Sequence, residues 1–422
     1  MSVFDATKNL VSKPWPLRGE PDLTADEVAP ARAVIAKYWP KLERFNPKGD
    51  DSLIGLPKPY LVPAYEAGHN FDFNELYYWD SYFMIQGLLD AEHKVLVMGI
   101  LDDEISLFQR YAIIPNASRT FLTGRSQPPL LTSFIWDLYE AYQLDKSWLA
   151  DKLAVAEEEY KTVWLGTHKP HERLVYEGLS RYYDINYNHD LAEAESGWDM
   201  TSRFNRHCLN YLPIDLNSLL FKYEIDFARA AKLLHKPKAE AKWLAAAGAR
   251  RQTINQLMWS HGLYYDYNFV KQKRGSVASL AGFYPLWAGL ADEAQAKKLV
   301  KSLAQFEHRG GLAATDTPTL GQFVPGAVPL QWAYPNGWSP LHFLIVQGLR
   351  RYGYHDDARR IAMKWLRTNL VWFNKHKVFL EKYNVVQPTK PPARGLYPSQ
   401  TGFGWTNSVF EKFCQDFIDA PK

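Results

Sequence analysis

Residues 277–291, VASLAGFYPLWAGLA, are apolar almost all the way round a helix, whereas the next fifteen, DEAQAKKLVKSLAQF at 292–306, are not. In the second stretch Leu299, Val300, Leu303 and Phe306 fall on one stripe and the charges fall elsewhere. A helix apolar on every side is buried on every side, and one with a single stripe lies on a surface. The alternation returns at 339–353, SPLHFLIVQGLRRYG, followed by 356–370, DDARRIAMKWLRTNL, with Ala358, Ile361, Trp365 and Leu366 on one face. Buried helix followed by amphipathic helix predicts two concentric layers with the chain weaving between them. Helical patterns recur at 81–99, 101–112, 130–144, 147–164, 215–235, 238–258 and 406–419, and the best strand candidate is 263–267. No repeat of fixed period is present, which argues against a solenoid. The fold class is therefore all-α, with a double-layered helical toroid favoured.

Composition narrows the function. The chain has 422 residues, 46% of them hydrophobic, enough for a large core. Its formal charge is only +3 and its charges are interleaved, so no basic stripe suited to nucleic acid is present. Aromatic residues reach 15%, and many tryptophans sit beside Gly, Pro, Asn and Asp, where flat rings near polar groups suit a sugar. Cys208 and Cys414 have no metal-ligand spacing. The N-terminus shows no continuous apolar core of a signal peptide, and no run approaches the ~18 apolar residues of a membrane helix. The expectation is a soluble, cytoplasmic, monomeric protein, without excluding an oligomer. Residues 1–45 read as a leader segment packed on the domain formed by 46–422. A helix at about 25–44 is expected there, opened by a capping box in the TADE stretch at 24–27.

Six stretches do not read as packing alone. NELYYWDSYF at 74–83 places Trp79 and Asp80 ahead of an apolar helix, where Asp80 is either an N-cap or a functional carboxylate. IPNASRTFLTGRSQPP at 114–129 sets Asn116, Arg125, Ser126 and Gln127 on a loop stiffened by two prolines, for hydroxyl recognition or for a structural network. LAEAESGWDMTSRF at 191–204 crowds Glu193, Glu195 and Asp199 together, with Trp198 against the last. A carboxyl against an aromatic wall in a dry pocket is a usable general acid near neutrality; Asp199 could instead cap a following helix. QWAYPNGWSPLHF at 331–343 offers Trp332, Tyr334 and Trp338 as a sugar platform or as closure packing. FLEKYNV at 379–385 carries Glu381, which alone reads as a surface residue, and YPSQTGFGWTNSVF at 397–410 holds Trp405 on a glycine-rich turn. Dinucleotide, phosphate-loop, zinc-protease and serine-nucleophile signatures are missing.

Taken together, YYWDSYF, the IPN and RSQPP pair, SGWDMTSR, QWAYPNGWSPL, LEKY and GFGWTN, with PIDLNSL at 213–219, resemble the trehalases of glycoside hydrolase family 37 in content and order. The resemblance runs from about Leu56 to the C-terminus. It implies an (α/α)6 barrel with the site in its mouth and an inverting glycosidase needing no metal or organic cofactor. It further implies Asp199 as general acid and Glu381 as general base, with Trp79, Asp80, Asn116, Arg125, Ser126, Gln127 and Gly197 lining the sugar site. Trp338 and Trp405 join them as expected sugar contacts.

Three departures concern parts that enclose substrate in that family. Asp72 stands where an arginine falls, the segment NYNHDLAEAE before Ser196 is shorter than an Arg-Pro-Glu loop, and Leu396 stands where a glutamate falls. The expected substrate is α,α-trehalose, with another small α-glucoside or glucosylated molecule as the alternative and a catalytically silent sugar-binding protein as a further one.

Overall fold

The computed structural model describes residues 22–65, 73–169, 171–316, 330–393, 395 and 399–420; residues 1–21 of the leader, Asp72 and Leu396 lie outside them. Thirteen α-helices occur among the described residues: α1 Ala25–Leu42, α2 Tyr78–Ile85, α3 Lys94–Tyr111, α4 Leu131–Tyr142, α5 Lys146–Glu159, α6 His189–Glu195, α7 Ile214–Leu233, α8 Pro237–Met258, α9 Tyr284–Ala288, α10 Glu293–Ser302, α11 Ser339–Arg351, α12 His355–His376 and α13 Gly404–Cys414.

Burial sorts them into the two expected layers. All eight residues of α2 are buried, as are Ser339 to Val346 of α11. By contrast α8 buries one stripe, Trp243, Ala247, Arg250, Ile254 and Met258, and the predicted stripe of α12 is fully covered. The inner helices touch in a ring, α2 to α13, α13 to α11, α11 to α9, α9 to α7 and α7 to α4. It closes where the Tyr78 hydroxyl accepts the Leu131 N–H at 3.1 Å. Helices α3, α5, α8 and α12 back onto α2, α4, α7 and α11, the (α/α)6 barrel arrangement.

The capping box forms as predicted: Thr24 accepts the Glu27 N–H, and the Glu27 carboxylate accepts the Thr24 N–H at 2.8 Å. α1 buries Val28, Ala31, Ile35, Trp39 and Leu42 and packs on α12 and α13, with Arg32 paired to Glu411.

Several boundaries differ from the sequence reading. The helix expected over 81–99 ends at Ile85, and α3 then runs unbroken through position 100. The chain turns at Gly87, whose N–H donates to Ser408 Oγ at 2.7 Å, and Asp90 accepts the His93 N–H before α3 starts. The helix expected over 276–290 is only a tight turn, Leu280–Phe283, plus α9, because Pro285 sits at its start and Gly289 has φ 75°. Helix α6 is unforeseen, since its seven residues span too few turns to show a period. The 263–267 strand is two short pieces, Leu263–Tyr264 and Tyr267–Asn268, in separate sheets.

Inner helices approach closely where side chains vanish. A Cβ on Gly348 of α11 would meet Leu286 Cβ and the Trp287 nitrogen of α9, each at 2.9 Å. Gly348→Val should therefore lower the free energy of unfolding by about 1–3 kcal/mol. Chemical denaturation checks this, and an unchanged midpoint would contradict it.

Candidate active site

The six stretches converge because the inner helices begin at one end of the barrel. Trp79 and Asp80 open α2, Gln127 lies just ahead of α4, Trp338 immediately precedes α11, and Trp405 is the second residue of α13. Neighbouring inner helices run in the same direction, since each returns through an outer helix, so their N-terminal residues meet.

Four indoles from three of these starts and one loop form a continuous wall. Trp332 stacks on Trp338 with centroids 3.7 Å apart and planes 3° from parallel. Trp79 lies 5.7 Å from Trp332, and Trp405 presents its edge to Trp79, Trp332 and Trp338 at 6.0 to 6.1 Å. All four are nearly inaccessible to solvent, so they pack as a rigid wall. Trp338, expected to touch sugar, has Trp332 on its face and the Lys382 ammonium 4.9 Å from its centroid.

Three carboxyl groups stand against this wall. Asp80 is buried and does not cap α2, whose N-cap is Tyr77 without a side-chain bond. Burial, then the charges of Glu381 and Asp199, push its carboxyl well above the usual range, and a hydrogen bond with Gln127 opposes the shift. Gln127 also accepts the Trp79 N–H at 2.9 Å.

Asp199 caps no helix, because a turn and not a helix follows it. It is half-buried beside Trp198, which stacks on Trp332 at 5.4 Å. Burial first and the charge of Glu381 second push its pKa up to about 7, with Lys382 and Trp332 opposing. A carboxyl so placed retains its proton near neutrality, as a general acid must.

Glu381 is 1% exposed and is not a surface residue. Its Oε2 accepts from Lys382 Nζ at 2.6 Å, its carbonyl accepts from Trp405 Nε1 at 3.1 Å, and its N–H donates to the Gln400 carbonyl at 3.0 Å. The last two bonds hold the backbone under the carboxyl from both sides. The short strand pair Asn336–Trp338 and Lys382–Asn384 sets Lys382 directly opposite Trp338.

The remaining predicted residues are mostly engaged in the loops themselves. Asn116 Nδ2 donates to the carbonyls of Ser126 and Ala194 at 3.2 and 3.4 Å, and Ser126 Oγ donates to the Ile114 carbonyl at 2.7 Å. Arg125 pairs with the buried Asp184 at 3.0 Å. Gly197 has φ 74°, and a Cβ there would lie 2.6 Å from Trp79 Cε2.

Sequence reasoning left several contributors unassigned. Lys382 was visible as the neighbour of Glu381 in LEKY. Arg203, the last residue of SGWDMTSR, is fully buried and donates to Asp215 at 2.7 Å and Asp266 at 2.8 Å, tying the Asp199 loop to the start of α7. Asp266 lies 63 positions from Arg203, and no local pattern pairs them.

A mostly helical barrel with a carboxyl pair and an indole wall at the inner-helix N-termini defines a glycosidase-type (α/α)6 toroid. The Trehalase family model matches residues 23–195 and 186–417, and the chain belongs to that family. It is 35% identical over 425 residues to a periplasmic trehalase of Xanthomonas campestris, covering 90% of this chain and 72% of that protein. It is 31% identical over 437 residues to a cytosolic neutral trehalase of Kluyveromyces lactis, covering 86% of this chain and 56% of that protein. The chain thus spans little more than half the length of that relative. The solved neutral trehalase of Saccharomyces cerevisiae superposes with a TM-score of 0.74 at 32% identity, covering 88% of this chain and 76% of that one. A mannosylglycerate hydrolase of Thermus thermophilus shares the fold, with a TM-score of 0.65 at 17% identity over 90% of this chain and 99% of that one. The relatives include cytosolic and periplasmic proteins, and among the described residues no helix is long and apolar enough to cross a membrane.

Gly197→Ala combines a left-handed backbone with a clash against Trp79, so a loss of about 1–3 kcal/mol of stability is expected. A thermal melt indistinguishable from wild type would show that the loop yields without cost.

Proposed function

We propose that the chain is an inverting α-glycosidase that hydrolyses α,α-trehalose to glucose. Asp199 gives its proton to the glycosidic oxygen. Glu381 takes a proton from the water that attacks the anomeric carbon from the opposite face. Inversion requires the two carboxyls to stand ~6.5–9.5 Å apart, with one water between base and sugar. The observation that carries this reading is the contrast between the two groups: Asp199 is pushed up to about 7 by burial and by the charge of Glu381, while Glu381 is ion-paired to Lys382. One group is suited to give a proton and the other to take one. That the Kluyveromyces lactis and Xanthomonas campestris relatives are trehalases supports the substrate. Asp80, with Gln127, is proposed to bind the glucose hydroxyls beside the acid. Buried, unpaired thiols at Cys208 and Cys414 suit a reducing compartment and support a cytoplasmic location.

A second reading has one favouring observation. Between Arg181 and Ser196 the chain carries the seven-residue helix α6, and no Arg-Pro-Glu sequence stands there. A part expected to help enclose substrate therefore differs, and a trehalase-like enzyme for another small α-glucoside fits the same catalytic pair. Glucose release from trehalose, kojibiose, sucrose and a glucosylglycerate separates the two. Release from trehalose supports the first reading; release only from the others supports the second.

Asp199→Asn and Glu381→Gln should each lower turnover by about 10²–10⁴-fold. Wild-type rates in either would remove that residue from its role. By NMR, trehalose should yield one β- and one α-glucose before mutarotation, whereas a retaining enzyme would yield only the α-anomer. Turnover requires protonated Asp199, so kcat/KM should fall as pH rises through about 7. Constant kcat/KM up to pH 9 would contradict the acid assignment.

A further inference from the structure

Lys382 has a place in this site that the acid–base pair alone does not explain. It is 0% exposed, yet it carries an ammonium group. A lysine is rarely taken wholly out of water unless a partner fixes its charge, because desolvating an ion is costly. One partner is the side chain of the adjacent residue, Glu381, with Nζ 2.6 Å from Oε2. Three constraints hold the ammonium there. The strand pairing sets Lys382 against Trp338, the Trp338 ring lies 4.9 Å from Nζ, and Trp332 backs that ring at 3.7 Å.

We propose that Lys382 is a positioning residue of the proposed base, holding Oε2 of Glu381 and with it the orientation of the carboxylate that is to take the proton of the attacking water. A glutamate has three rotatable side-chain bonds, and freezing them before substrate arrives removes an ordering cost from the reaction. A charge-assisted contact to one oxygen fixes both the rotamer and the orientation of the carboxylate plane.

The field of Lys382 also reaches the acid. It holds the Asp199 carboxyl down against the larger effects of burial and Glu381. Among the described residues, Asp80 and Tyr77 on the α2 side, Glu193 ahead of the acid and Tyr383 on the strand of Lys382 are also ionisable. Burial raises all four. Because the ammonium opposes the rise at Asp199, the titration of that carboxyl should report its loss. One side chain thereby orients the proposed base and limits how tightly the proposed acid keeps its proton.

This inference rests on Glu381 and Asp199 being the base and the acid. The test compares Lys382→Met, which keeps the stem and deletes the charge, with Lys382→Arg, which keeps the charge and displaces it. Both are measured for kcat, KM and the pH dependence of kcat/KM on the substrate cleaved by the wild type. In Lys382→Met kcat should fall about 10-fold or more, short of the ~10²–10⁴-fold cost of deleting a proton-transfer group. KM should change little, and the alkaline limb should move to higher pH. A merely structural role would lower the amount of active enzyme without moving that limb. Lys382→Arg should lower kcat with the limb near its wild-type position. It also stands as the deciding variant if Lys382→Met does not fold, because full wild-type kcat in Lys382→Arg overturns the proposal by itself. So does a Lys382→Met enzyme with wild-type kcat and an unmoved limb. Glu381→Ala, assayed alongside, separates the failures: turnover in that variant defeats the base assignment, whereas its inactivity beside a fully active Lys382→Met defeats only the role of Lys382.

Discussion

Three carboxyl groups, Asp80, Asp199 and Glu381, share one dry wall of indoles and act on one another's charge. Carboxylates repel, and burial disfavours each charged form, so such a cluster persists only where protons or fixed cations relieve it. Here both means are used. Asp80 and Asp199 are shifted toward their neutral forms, and Lys382 places an ammonium on Glu381. The scaffold supplies the rigidity that keeps the groups from moving apart. Inner helices start where the carboxyls lie, and stacked rings fill the space between the helix starts.

The stretch LAEAESGWD shows how burial sorts chemically similar residues. Glu195 accepts the N–H groups of Ser126 and Tyr183, each at 2.7 Å, and pairs with Arg173. Glu193 accepts the Thr201 N–H at 2.6 Å, and burial pushes it up to about 8. Those two hold loops together. Asp199 alone of the three keeps partial exposure while facing Glu381 electrostatically. Around it, Arg203 fixes the loop through Asp215 and Asp266 and lies over Trp198 at 4.5 Å, giving a buried guanidinium that is fully used in positioning.

The layered helical architecture was legible because burial leaves a period: α12 carries its stripe openly, and the capping box of α1 is a local code. Boundaries were less legible wherever tertiary contact decided them. The break after Ile85 depends on Ser408, more than 300 positions away, and the shortness of α9 depends on a proline and a left-handed glycine within an otherwise apolar run. Asp199 and Glu381 were legible through their motifs and not through their own surroundings, since isolated carboxylates in sequence look like caps or surface groups. Asn116 and Ser126 read either as hydroxyl-binding groups or as a loop network, and their side chains donate to loop carbonyls, a distinction that residue type cannot express. Lys382 shows the converse: a residue type that normally marks the surface lies wholly inside, because the strand opposite it carries Trp338.

The central claim is that burial and the neighbouring charge of Glu381 keep a proton on Asp199 near neutrality. The direct measurement is the infrared difference between wild type and Asp199→Asn as a function of pH, reading the protonated carboxyl stretch that the substitution removes. The account predicts a band present at pH 6 and lost with a midpoint at about 7. A midpoint near the ordinary aspartate value of about 4 would contradict it.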